Sequence, residues 1–187
     1  MSATNRGSVR KESDFYATPI SCVENLLNNL DLQNRGIEVL EPSAGNGNII
    51  SVFKKYYPNK NVTALELREE EENNLNMLTN NVVIDDFLHR KITNKYDIII
   101  GNPPYGLAIE FVKKSLECLK DEGILIFLLR TAFLESKSRY QFWQENPLTG
   151  LLTLSKRPSF TGKGTDATSY SWFVWDRSTN KQYIKII

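Results

Sequence analysis

The stretch Ile37-Glu38-Val39-Leu40-Glu41-Pro42-Ser43-Ala44-Gly45-Asn46-Gly47-Asn48-Ile49-Ile50 decides the reading of the fold. Ile37 to Leu40 is a short apolar run, and Ile49, Ile50, Val52, Phe53 and Tyr56 recur at helical spacing. Glu41 to Gly47 therefore joins a strand to a helix. Gly45 and Gly47 carry no Cβ, so the backbone there can pass close to a bound molecule. In open parallel sheets such loops lie at the carboxyl ends of the strands, where ligands bind. A lone Gly-x-Gly also serves as a tight structural turn. Glu66 strengthens the ligand reading: it closes the next strand, about twenty residues on, where an acidic side chain can accept from ribose hydroxyls. The third glycine of a nicotinamide-dinucleotide loop is missing, because the position three after Gly47 is Ile50.

Outward from this loop the pattern repeats. Residues 1–14 read as a flexible arm. Thr18-Pro19 predicts a helix start, with Thr18 as N-cap and Pro19 at the first helical position, followed by Ile20, Val23, Leu26, Leu27 and Leu30 at helical spacing. Asn61 to Leu67 reads as the second strand, and four glutamates from Glu69 to Glu72 open a helix, where the dipole favours them. Val82 to Ile84 and Tyr96 to Ile100 are further strands. Phe111, Val112, Leu116 and Leu119 mark a helix, and Gly123 turns the chain into a strand over Ile124 to Leu129. This alternation predicts an α/β fold with a parallel sheet covered on both faces. The end differs: Leu151 to Leu154 and Ser169 to Trp175 read as an antiparallel hairpin closing the sheet edge. Trp172 and Trp175 are expected in the sheet itself.

Composition narrows the class. The chain has 187 residues, 41% hydrophobic and 24% charged, with a net charge of +1, as expected for one globular domain over 15–187. No apolar run approaches the roughly 20 residues of a membrane span, and Met1 to Lys11 lacks the apolar segment of a secretory signal, so the expected location is cytoplasmic. Cys118 falls on an apolar helical stripe and reads as a buried free thiol, and Cys22 lies far from it. No zinc pattern is present and His89 has no ligating partner nearby, so no metal is expected. Arg6, Arg10 and Lys11 make the N-terminus basic. Lys156, Arg157, Lys163, Arg177, Lys181 and Lys185 outnumber Asp166 and Asp176 after Gly150. Two such basic segments can flank a phosphate backbone. The same charges also suit ordinary solvated surface.

Asn102-Pro103-Pro104-Tyr105 follows the fourth strand directly. Its prolines fix the backbone and remove two N–H donors, leaving carbonyls and the Asn102 side chain as a rigid set of acceptors. Such an array suits an incoming amino group, and the Tyr105 ring offers a face for stacking.

Together, Glu41 to Gly47 and Asn102 to Tyr105 resemble the class I S-adenosyl-L-methionine-dependent methyltransferases that modify amino groups, above all the N6-adenine DNA methyltransferases. The resemblance extends from about Asp14 to Trp175, and the order of the two motifs matches the family's gamma arrangement. It implies a Rossmann-like fold: a mostly parallel seven-stranded sheet with a C-terminal antiparallel hairpin and helices on both faces. It implies S-adenosyl-L-methionine as cofactor. By this match Tyr16, Ala17 and Thr18 close over its methionine part. Glu41, Pro42, Ser43, Gly45 and Gly47 hold that part, and Glu66 with Leu67 takes the ribose. Asp86 accepts from the adenine N6, with Asp85 the alternative, and Phe87 packs near the ring. Asn102 adjoins both cofactor and target.

The reaction implied is methylation of a base amine. The N6 amine of adenine is a poor nucleophile because its lone pair is delocalised. Hydrogen bonds to the Asn102 side-chain oxygen and the Pro103 carbonyl would favour a pyramidal nitrogen that attacks the sulfonium methyl, so catalysis is mostly orientation and preorganisation. Phe160 is the candidate to face Tyr105 across a flipped adenine; ordinary packing is its other reading. The expected partner is nucleic acid, DNA first, with no membrane. The chain is similar in size to small phage- or prophage-type enzymes and shows no separate target-recognition region, so recognition falls to loops, the arm or a specificity partner. RNA bases and a protein glutamine amide are alternative acceptors, and a non-catalytic cofactor-binding subunit is the alternative of another class.

Overall fold

In the computed structural model the described residues are 17–160 and 167–187. The arm at 1–14, and Tyr16 with it, lie outside them. Helix α1 (Ile20–Asn29) precedes β1 (Glu38–Glu41), α2 (Asn48–Tyr56), β2 (Asn61–Glu66), α3 (Glu72–Asn76), β3 (Asn81–Ile84) and β4 (Tyr96–Gly101). Helix α4 (Ala108–Cys118), β5 (Leu119–Arg130), α5 (Tyr140–Glu145), β6 (Gly150–Thr153), β7 (Tyr170–Asp176) and β8 (Tyr183–Ile186) complete the order.

The sheet runs β3-β2-β1-β4-β5-β7-β6-β8. Strands β3 to β5 pair in parallel, while β7 lies antiparallel between β5 and β6. Alternate side chains explain the layers. Val39, Ile98, Ile100, Ile124 and Ile126 face the core shared with Val23, Leu26, Ile50 and Phe53 of α1 and α2. Leu40, Ile99, Leu125 and Phe127 face the core shared with Phe111, Val112 and Phe142 of α4 and α5. Each such fully buried side chain contributes about 1.5–3 kcal/mol, so helices on both faces are what these strands require. Trp172 belongs to the first core and Trp175 to the second, as expected. Both cysteines are free and buried.

Three sequence expectations are corrected. The sheet has eight strands among the described residues, not seven. Residues Tyr183–Ile186 pair in parallel with β6 as an exposed edge, and so short a stretch with one polar residue gives little apolar signal. The hairpin therefore does not close the edge; β8 does. Helix α1 begins at Ile20, with Pro19 in the cap position and no side-chain cap bond. Thr18 is drawn away from that role, because its hydroxyl and carbonyl both serve neighbours at the site.

Candidate functional site

Strand β1 lies between β2 and β4, so the winding of the sheet reverses beside it. That is where open α/β sheets leave a crevice. A cavity of about 250 Å³ sits there, at the carboxyl ends of β1 to β4. Glu41 ends β1, Glu66 ends β2, Asp85 and Asp86 follow β3, and Asn102 follows β4. Of the residues expected from sequence, Ala17, Thr18, Glu41, Pro42, Ser43, Gly45, Glu66, Leu67, Asp86, Phe87, Asn102 and Pro104 line it. Gly47, Pro103, Tyr105 and Phe160 do not.

The glycine loop is fixed by its own backbone. Gly45 and Gly47 take φ values of 56° and 79°, a left-handed region that costs other residues about 1–2 kcal/mol. A Cβ on Gly47 would also lie 2.4 Å from Leu78 Cδ1. Gly47 thus shapes the loop from behind, whereas Gly45 lines the cavity and donates its N–H to Glu66 Oε2 across 2.6 Å. Glu66 Oε1 accepts from the backbone N–H and the Nε of Arg68, at 3.1 and 2.9 Å. Arg68 also lines the cavity. Its signal in the sequence was its place two residues beyond Glu66, on the same side of an extended chain.

Glu41 is 1% exposed. Burial first, and the charge of Glu66 second, push its carboxyl well above the usual carboxylate range. Its Oε2, like the Ser43 Oγ, is buried and has no hydrogen-bond partner among the described residues. Two orphaned polar atoms in one cavity wall call for a polar ligand there, because leaving them unpaired costs about 1–3 kcal/mol each.

The acidic doublet divides its partners. Asp85 accepts from the Asp86 N–H and from Arg90 at 2.6 Å, and the Arg90 bond is the main cause that lowers its pKa. Asp86 accepts from the Leu88 N–H and lies 2.7 Å from His89 Nδ1; this His89 contact leads the causes that lower its pKa. His89, which reads as isolated in the sequence, thus has a partner and lines the cavity. Among the described residues no group of His, Cys, Asp and Glu could hold a metal ion.

After β4, Asn102 donates its amide to the Thr18 hydroxyl at 3.1 Å, and Asn48 donates to the Thr18 carbonyl at 2.9 Å. The Asn102 side chain is thereby oriented beside the cavity. Pro103 is buried. Tyr105 packs against both cores; burial above all raises its pKa, so the phenol is a neutral ring at any physiological pH. Its ring centroid is 5.5 Å from Tyr170, and the Arg130 guanidinium lies 5.1 Å over it. Phe160 makes an edge contact with Tyr170 at 5.1 Å, so Tyr170 is a ring neighbour of both Tyr105 and Phe160. Tyr170 and Arg130 were not found from sequence, because an aromatic opening a strand reads as core and a charge closing one reads as surface.

The model of the methyltransferase small domain family matches residues 21–142. "Modification methylase CviBIII" of Paramecium bursaria Chlorella virus NC1A is 30% identical, over 64% of this chain and 38% of that protein. The chain thus corresponds to well under half the length of this curated relative. Among solved structures, the type I restriction enzyme EcoKI M protein superposes with a TM-score of 0.71 at 15% identity, covering 94% of this chain and 49% of that one. The DrdV–DNA complex gives 0.68 at 15% identity, covering 92% and 27%. The fold is that of the class I methyltransferases.

Proposed function

The chain belongs to the methyltransferase small domain family, and from that premise we propose that it transfers a methyl group to the exocyclic N6 amine of adenine in DNA. S-adenosylmethionine is the methyl donor of this fold; when bound it supplies an electrophilic sulfonium methyl. The residues present fit it. The orphaned Glu41 Oε2 and Ser43 Oγ suit its ammonium group, whose charge would favour the ionised form of Glu41. Glu66 uses three of about four carboxylate acceptor positions on Gly45 and Arg68, which leaves one for a ribose hydroxyl. Asp86 would accept from the cofactor's adenine amine, and the buried Phe87 ring would pack beside it.

The observation that carries the acceptor reading is the Asn102 amide bonded to Thr18 at the cavity wall. With its nitrogen committed to Thr18, its oxygen takes the acceptor role toward an incoming N–H. That oxygen and the Pro103 carbonyl would hold an amine with its lone pair directed at the methyl. No strong base is required, since the amine becomes acidic only once methylated. Orientation and fixed dipoles then supply most of the acceleration. The modification methylase name of the viral relative and the DNA-bound state of the DrdV neighbour support DNA as the acceptor.

The test is transfer of labelled methyl groups to DNA, RNA and protein in parallel, followed by digestion of each product. Label in N6-methyladenine from DNA is the expected result. Label confined to RNA or to glutamine would move the acceptor, and cofactor binding without transfer to any of the three would make the chain a partner subunit.

A further inference from the structure

We propose that Arg68 is a positioning residue of the cofactor site: it holds the Glu66 carboxylate so that only Oε2, the oxygen beside Gly45, is left to accept from a ribose hydroxyl. This rests on the reading of Glu66 as the ribose ligand given above. Glu66 ends β2 and is 6% exposed. The terminal torsion of a glutamate has broad, soft wells, so burial alone does not fix the plane of its carboxylate. Contacts at both oxygens do. The Gly45 N–H donates to Oε2 at 2.6 Å. The backbone N–H and the Nε–H of Arg68 donate to Oε1 at 3.1 and 2.9 Å. A carboxylate oxygen has about two acceptor positions, so Oε1 is filled and Oε2 keeps one.

The guanidinium is itself anchored. Arg68 Nη1 lies 3.3 Å from a Glu71 carboxylate oxygen, and the two side chains are only 17% and 12% exposed. One planar cation thus spans two carboxylates in a setting largely withdrawn from water, where charge-assisted hydrogen bonds are short and directional. Glu66 and Arg68 line the cavity, whereas Glu71 does not. The anchor therefore lies outside the site and its effect inside it: Glu71 steadies Arg68, Arg68 takes Oε1 out of competition, and the remaining acceptor of Glu66 stays beside the glycine loop. Without the guanidinium, Oε1 would keep only the longer bond to the backbone N–H, and the carboxylate could turn about its soft torsion. A ligand hydroxyl would then meet an acceptor that has first to be ordered.

The experiment is calorimetry on the full chain with S-adenosylhomocysteine and with its 2′,3′-dideoxy form, whose ratio of affinities isolates the ribose hydroxyls. The wild type should bind the hydroxylated form about thirtyfold more tightly. Arg68→Ala should cut that preference to about fivefold, and Glu71→Ala, which alters no residue of the cavity wall, should lower it about twofold. A merely structural role would lower the unfolding midpoint and both affinities together and leave their ratio alone. An unchanged ratio in Arg68→Ala overturns the assignment, and where that variant does not fold an unchanged ratio in Glu71→Ala does the same. So does an effect of Arg68→Ala that adds in full to that of Glu66→Gln, since a positioning residue has nothing left to orient once the carboxylate is gone. A wild-type protein that binds both forms equally overturns the ribose reading of Glu66, and the proposal with it, before any variant is made.

Discussion

The Asn102 amide donates to the Thr18 hydroxyl across 3.1 Å, tying the turn after β4 to the segment that opens α1. Two residues 84 positions apart thus set the direction of one amide. Thr18→Val removes this acceptor and with it one of the contacts that orient the amide. We expect kcat to fall about tenfold, a cost of about 1.4 kcal/mol in positioning, and Thr18→Ser to recover most of it. Asn102→Ala should lower kcat by about a hundredfold or more while calorimetry shows cofactor affinity within about threefold of wild type, because the interaction lost is chiefly with the target amine. Activity surviving in Asn102→Ala would remove this residue from the mechanism.

Glu41 links the cavity to pH. Its carboxyl is held above its ordinary value of 4.5, by burial first and Glu66 second. As pH rises from that value toward the folded one, the unfolded chain gives up a proton that the folded chain keeps. The folded state therefore loses stability across that window. Glu41→Gln removes this loss, so the ligand-free variant should show a flatter Tm–pH profile above pH 4.5 than the wild type. Cofactor affinity should rise with pH in the wild type, where the ionised carboxylate meets a cation, and stay level in the variant. Parallel pH profiles for the two proteins would rule this out.

Asp85 and Asp86 can be separated by their partners. Asp85 is held by the permanent charge of Arg90, whereas Asp86 shares its outer oxygen with His89, whose side chain is 87% exposed and free to swing aside. On the proposed function, Asp86 rather than Asp85 would exchange its partner for the cofactor's adenine amine. Asp86→Asn should raise the cofactor Kd about tenfold, the worth of a hydrogen bond to a charged group, and Asp85→Asn by less than about threefold. The reverse order, measured by calorimetry, would give the contact to Asp85.

Gly47→Ala probes the loop rather than the ligand. The left-handed φ of 79° and the approach of Leu78 together should cost about 1–3 kcal/mol in stability. Denaturant unfolding would show it as a lower midpoint with an unchanged slope. An unaltered midpoint would mean the loop can take another path.

Much of this was legible in the sequence because two periodicities do not overlap. Val39-Leu40 and Ile98-Ile99-Ile100 could only be buried on both sides, and the stripes of α1, α2 and α4 could only cover them. Residues at strand ends, Glu41, Glu66, Asp86 and Asn102, were legible for the same reason: sheet geometry brings such positions to one rim. What stayed hidden depends on contacts between distant segments. Nothing local distinguishes Thr18 as an acceptor for Asn102 from Thr18 as a helix cap. Tyr170 beside both Tyr105 and Phe160, and Arg130 over Tyr105, follow from β7 entering the sheet beside β5, a pairing no short pattern encodes. Strand β8 escaped because all four of its residues are exposed, so burial left no mark on its composition.

Tyr105 packs against the cores on both faces of the sheet. A segment anchored in only one layer can fray while the rest of the molecule holds; one anchored in both opens only when the layers part. Amide hydrogens around the turn should accordingly exchange with the slowest class in the protein. On heating, the capacity for methyl transfer should then disappear in the same cooperative transition as the tertiary structure, with no inactive but folded species preceding it.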